Sequence, residues 1–172
     1  MRGVEMTRKA RLAVACLLGA TALTPFGVVA QTWVGATSTY ALSSNWNPAS
    51  IPNSGTTAIF TGTGSQIVDL GTGRSVGTFQ FDSSAQAYTF NAVAGASMVF
   101  FGTGIVNNSS SVQTFTASGN GGGTSSGYGF ENSATAANAV FNISNGATLS
   151  FYTNATAGTA QITVTGGRLA LY

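Results

Sequence analysis

Histidine is absent from this sequence, and the single cysteine, Cys16, lies in an apolar stretch near the N-terminus. These absences remove Ser-His-Asp and Cys-His nucleophile activation and the usual zinc ligand sets. They also leave the rest of the chain without disulfides, on which small secreted domains commonly rely. Charge is scarce: 6% of residues are Asp, Glu, Lys or Arg, against about 25% in an ordinary globular protein. It is also unevenly placed. Arg2, Arg8, Lys9 and Arg11 against Glu5 leave +3 in the segment ending at Arg11, and Arg74 and Arg168 against Asp69, Asp82 and Glu131 leave −1 in the remainder. The basic pI therefore belongs to the N-terminus, and there is no basic patch to hold nucleic acid.

The scarcity extends to the motifs of catalysis and cofactor binding. Asp69, Asp82 and Glu131 are the only carboxylates available for the paired acids of glycoside hydrolysis. Asp69 and Asp82 would have to meet on adjacent coils to act as such a pair, and ordinary turn or solvent-facing acids are the plainer reading. Gly71-Thr72-Gly73-Arg74-Ser75-Val76-Gly77 has one residue too many for a dinucleotide fingerprint and no following helix. Gly119–Gly123 lacks the Asp ligands of calcium-binding glycine repeats. The expectation is thus no catalytic, cofactor-binding or metal-binding residues and no enzyme activity.

What is present is 44% apolar residues, with 11 Phe and 23 Gly. Polar but uncharged surfaces with alternating apolar residues suit β-sheet. The N-terminus reads as a helical secretory signal peptide over residues 1–30. A cationic start leads into an apolar run from Leu12, Pro25-Phe26-Gly27 would break a helix, and Val28-Val29-Ala30 offers small residues before Gln31. Cleavage is expected between Ala30 and Gln31. An uncleaved anchor is the alternative, since Leu12–Ala30 has about the length needed to span a bilayer. Met6 is a second candidate start.

Beyond the leader, short β-prone segments bounded by Gly or Ser follow one another, with Phe79/Phe81 and Phe141/Ile143 alternating with polar residues. No convincing helical period with caps occurs. The organising pattern lies between Ala134 and Leu171, where Ala134–Ala139, Val140–Ile143 and Thr148–Phe151 are answered by Ala155–Ala160, Gln161–Val164 and Arg168–Leu171. The two copies are offset by about 20 residues, and the offset shortens by one between the start of the pattern and its end. Such a period is the signature of a solenoid, whose units bury their apolar sides only by stacking. The expected fold is all-β, a parallel β-helix of roughly seven coils spaced by about 4.8 Å. Residues 31–55, with Trp33, Tyr40 and Trp46, form its N-terminal cap, and coils fill residues 56–172. The alternative for Trp33, Tyr40 and Trp46 is a carbohydrate platform. Ser118–Gly129 reads as an exposed loop, and Asn138, Asn142 and Asn145 as inter-coil ladder residues. The sequence ends in a strand pattern without a cap, as the front portion of something longer would.

These residues resemble the tandem coils of bacterial autotransporter passenger domains. The likeness is carried by Ala155-Thr156-Ala157-Gly158-Thr159-Ala160-Gln161-Ile162-Thr163 with Gly166-Gly167-Arg168-Leu169. Asn45-Trp46, Pro52, Ala58-Ile59-Phe60 and Gly102–Ser109 add to it. The resemblance implies a right-handed parallel β-helix, exported by machinery that reads the leader and displayed at the outer membrane or cell surface, or secreted. It implies adhesion or surface structure, with a host or surface glycan or protein as partner and a mature part that does not span the membrane. The family's C-terminal membrane β-barrel is missing here. The remaining readings are a passenger fragment without function, left in the periplasm if no exporter exists, and a polysaccharide-cleaving β-helix using Asp69 or Asp82.

Overall fold

A computed structural model describes residues 29–93, 95–120 and 126–172. The expected leader lies outside the described residues except for Val29 and Ala30. The first strands are β1 (Ala30–Trp33), β2 (Trp46–Asn47), β3 (Thr57–Phe60), β4 (Ile67–Asp69), β5 (Arg74–Phe81), β6 (Thr89–Val93) and β7 (Ser97–Asn107). They are followed by β8 (Thr114–Ser118), β9 (Gly127–Phe130), β10 (Val140–Ser144), β11 (Thr148–Phe151), β12 (Gln161–Thr165) and β13 (Arg168–Leu171). Helix among the described residues is confined to a 3₁₀ turn at Ser43–Asn45.

The strands alternate between two sheets. Sheet A has the order β13-β11-β9-β7-β5-β3-β1-β2, and sheet B the order β12-β10-β8-β6-β4. Every neighbouring pair is parallel except β1 with β2. Each coil lays one strand on each sheet and the next coil repeats it, giving an all-β parallel solenoid of about 6 turns. The internal repeat appears as the register of the last coils. Val140 lies beside Gln161 and Thr148 beside Arg168, so the step from coil to coil is one residue shorter on sheet A than on sheet B. The residue is lost in the turn: Asn145-Gly146-Ala147 joins β10 to β11, whereas Gly166-Gly167 alone joins β12 to β13. Asn145 and Gly146 both take positive φ there (52° and 82°), the region that Asn and Gly enter at least cost.

The coils are less uniform than the repeat suggests. Ser97 pairs with Gly127, a much longer step than that from Thr148 to Arg168, and such long coils explain about six turns rather than seven. In the neighbouring pair of strands, β7 sets Phe101, Gly102 and Thr103 opposite Gly77 alone, a bulge that bends the strand. The glycine-rich run expected to be an exposed loop is partly strand. Ser118 closes β8, and Gly127–Phe130 forms β9, buried at all four positions. Glycine content misled here because Tyr128 and Phe130 alternate with Gly127 and Gly129, so the bulky members face inward.

Inward residues stack along the axis. Phe90, Phe115 and Phe141 form one ladder under sheet B, with centroids 4.7 and 5.0 Å apart and near-parallel rings. Phe100, Phe130 and Phe151 form another under sheet A, at 4.7 and 5.1 Å. These separations match the inter-strand spacing, so parallel pairing itself places identical residues at ring-stacking distance. Edge contacts such as Tyr128 against Phe115 join the ladders. Some polar groups buried among them find partners: the Tyr128 hydroxyl donates to the Phe90 and Thr116 carbonyls, whereas the Tyr40 hydroxyl and Gln31 Oε1 have none among the described residues. Gln113, fully buried, accepts from the Tyr88 N–H and donates to the Ser111 carbonyl, fixing the turn before β8.

At the N-terminal end, Trp46 packs edge-on against both Trp33 and Tyr40 at about 5 Å and covers Phe60. The Trp46 indole N–H donates to the Tyr40 carbonyl and that of Trp33 to the Ser65 carbonyl. Phe115 stands in the middle of the sheet B ladder. Phe115→Ala is expected to cost about 3–5 kcal/mol, read as a lowered urea midpoint at unchanged far-UV circular dichroism in buffer. A loss below about 1 kcal/mol would show that the ladder can close over the gap.

Candidate functional site

Beyond Ala30 the chain carries few ionisable charges, Asp69, Asp82, Glu131, Arg74 and Arg168, and where each goes defines the candidate site. Asp69 faces outward on sheet B. It accepts from the Ser38 hydroxyl at 2.6 Å and from the Asn91 amide at 3.0 Å, and Asn91 in turn accepts from the Thr116 hydroxyl at 2.7 Å. This is a hydrogen-bonded rail across successive coils. Asp82 follows β5 and accepts from the N–H and hydroxyl of Ser84, a local turn cap. Asp69 thus lies on sheet B and Asp82 just past a strand of sheet A, each with its own hydrogen-bonding partners. The expected inter-coil ladder forms at Asn145, which donates to Ser118, and at Asn138, which accepts from Asn107. Asn91 also takes part, joining Asp69 to Thr116, whereas the Asn142 side chain makes no hydrogen bond among the described residues.

Glu131 and Arg168 have no side-chain hydrogen bond or ion pair among the described residues, and both line one trough of about 340 Å³ on the outer face of sheet A. Its geometry follows from register. Ser97, Gly127, Thr148 and Arg168 align across four coils, as do Val99, Gly129, Ser150 and Ala170. A third row, Glu131, Tyr152 and Tyr172, lies just past the strand ends, each N–H bonded to the carbonyl of the coil before. Tyr152 and Tyr172 stack with centroids 4.6 Å apart and planes 5° from parallel. The middle row is small, so the floor is low. Arg168 and Thr148 stand on one side, Glu131 and the tyrosine pair on the other, on the order of 13 Å apart along the strands. Ser97 also borders a second depression with Arg74, Asn53 and Ile51. The buried Nε of Arg74 has no hydrogen-bond partner there.

Trp33, Tyr40 and Trp46, for which a carbohydrate platform is the alternative to a cap, lie elsewhere. Trp33 and Tyr40 are 0% exposed and Trp46 is 2% exposed. Sugar stacking needs an open ring face, and these rings are spent on one another and on Phe60. Ala30 and Gln31, at the expected cleavage point, open β1 beside Thr57 and Ala58, and Gln31 is buried. Among the described residues no cluster of three or more acidic, His or Cys side chains is placed to hold a metal. No helix among them is long and apolar enough to cross a membrane. The sequence signal missed was the coincidence of Gly127, Gly129 and Arg168 at matched register. Those positions come together only once the long coil from Ser97 to Gly127 is threaded.

No family model, curated protein or solved structure matches this chain.

The buried phenols give the fold a pH limit. Burial, with a smaller contribution from the Asp82 carboxylate, pushes Tyr88 up to about 12, and its hydroxyl donates to the Thr61 and Thr63 carbonyls. Burial also raises Tyr128, and Tyr40 despite the opposing charge of Arg74. A tyrosine free in the unfolded chain ionises near about pH 10. The folded state therefore holds these protons longer, and their stabilisation is complete below about pH 10 and lost as pH rises through the folded values. The urea midpoint is expected to be flat from about pH 8 to about pH 10 and to fall beyond it. Tyr88→Phe should make the fall between about pH 10 and about pH 12 shallower. A midpoint constant to about pH 12 would refute this linkage.

Proposed function

We infer that the protein is an exported, non-enzymatic β-solenoid of the autotransporter-passenger type, serving adhesion or structure at the cell surface. The observation that carries this reading is the sheet A trough on a rigid stacked scaffold. Its two unpaired charges and low floor suit contact with a partner. Asp69 and Asp82, by contrast, are held in structural hydrogen bonds rather than paired across a reactive site. The cationic start and apolar run of the leader support export, and the coils with their T-A-G-x-A texture support the passenger likeness.

On this reading the coils lie outside the inner membrane, on the cell surface or released from it. Fractionation of the tagged full-length chain, combined with protease shaving of intact cells, checks this. The expected outcome is tagged protein in the medium or in the protease-accessible surface fraction, shortened by cleavage between Ala30 and Gln31. Retention of the uncleaved chain in the cytoplasm would sink the reading.

A further inference from the structure

The sheet A trough has features that the fold does not require. A Cβ at Gly127 would collide with the Thr148 carbonyl oxygen, so glycine there is a backbone necessity. Gly129 is different. A Cβ on it would meet Val99 Cγ2 at 3.5 Å and Tyr152 Cε2 at 3.9 Å, ordinary contacts, and its φ is not among the positive values. Glycine inside a strand weakens it and commonly marks a close approach by a ligand or another backbone. No backbone crowds Gly129, so what its missing side chain does is keep the floor open. Beside it in register, Ser150 is only 6% exposed, and its hydroxyl has no hydrogen-bond partner among the described residues although it lines the trough. The Ser150 oxygen itself stays accessible from the trough, so an incoming polar group can bond to it directly.

We propose that this trough is a binding site for an acidic saccharide, with the carboxylate paired to Arg168 and the ring lying over Gly129 against the Tyr152 edge. The volume, about 340 Å³, falls at the low end for small-molecule sites, roughly 300–1,000 Å³. Ser150 and Thr148 supply hydroxyls at the floor, and Glu131 accepts from sugar hydroxyls on the far wall. Arg168 is the group that distinguishes an acidic sugar from a neutral one, because a guanidinium matches a carboxylate with two parallel donors. The inference deepens the surface-binding reading and rests on it for biological meaning, but binding in vitro stands or falls independently of where the chain is exported.

The test titrates the full chain, by calorimetry, with hyaluronan oligosaccharides, which carry glucuronate, and with neutral chito-oligosaccharides of matched length. Saturable binding of the acidic probe, at least about tenfold tighter than the neutral one, is expected. Arg168→Gln should remove that preference. Gly129→Ala should abolish binding of both probes while leaving the unfolding midpoint unchanged or raised, a combination that a purely structural glycine would not produce. Absence of saturable binding, equal affinity for the two probes, or full binding by Gly129→Ala at intact stability would each overturn the assignment. Correct surface localisation together with silent titrations would remove the saccharide site and leave the export reading standing.

Discussion

Parallel pairing at a fixed inter-strand spacing is the constraint from which the rest of this structure follows. Once Val140 sits beside Gln161 and Thr148 beside Arg168, every inward side chain meets its counterpart on the next coil. Phenylalanine at those positions becomes a stacked ladder, and an outward polar residue becomes one rung of a rail. A chain with so few charges and, beyond Cys16, no cysteine has little else to hold it. Its cohesion comes from backbone ladders and aromatic burial repeated along an axis.

The same constraint leaves only the outer faces open to a partner. Inward positions are committed to packing, and Tyr40, Tyr88 and Tyr128 show how completely even polar tips are drawn into that interior. Outward positions carry no such obligation. On sheet B they are knitted into the Ser38–Asp69–Asn91–Thr116 rail, which consumes its own hydrogen-bonding capacity. On sheet A they are left small and open, with Arg168 and Glu131 unspent. The two faces of one scaffold thus differ in chemistry, the first closed by its own bonds and the second with side chains left open.

The solenoid was readable from the sequence because the last two coils are nearly equal in length and alternate cleanly, as Phe141/Ile143 against Ile162/Val164 show. The inward placement of most phenylalanines followed from the same alternation. The trough was not readable. Its rows bring together Ser97, Gly127, Thr148 and Arg168, whose separations are unequal, and a local period cannot align them. Nor could composition tell that the run around Gly127 and Gly129 is strand, since the low strand propensity of glycine is overridden by Tyr128 and Phe130 packing inward. Trp33, Tyr40 and Trp46 have two readings, a cap and a display, because large aromatics among turn residues suit either. Their burial against one another at the end of the stack fits the cap.

The long coil between Ser97 and Gly127 sits in the same register as the shorter ones from Gly127 to Thr148 and from Thr148 to Arg168. A connection can therefore lengthen without moving the strands on either side, because each rung answers only to its neighbours. This separates two kinds of constraint within one chain. The backbone of each rung is bound to the rung beside it, while the connections between rungs can differ in length one by one. A surface built this way can be altered at its margins, and the rod beneath it stays the same.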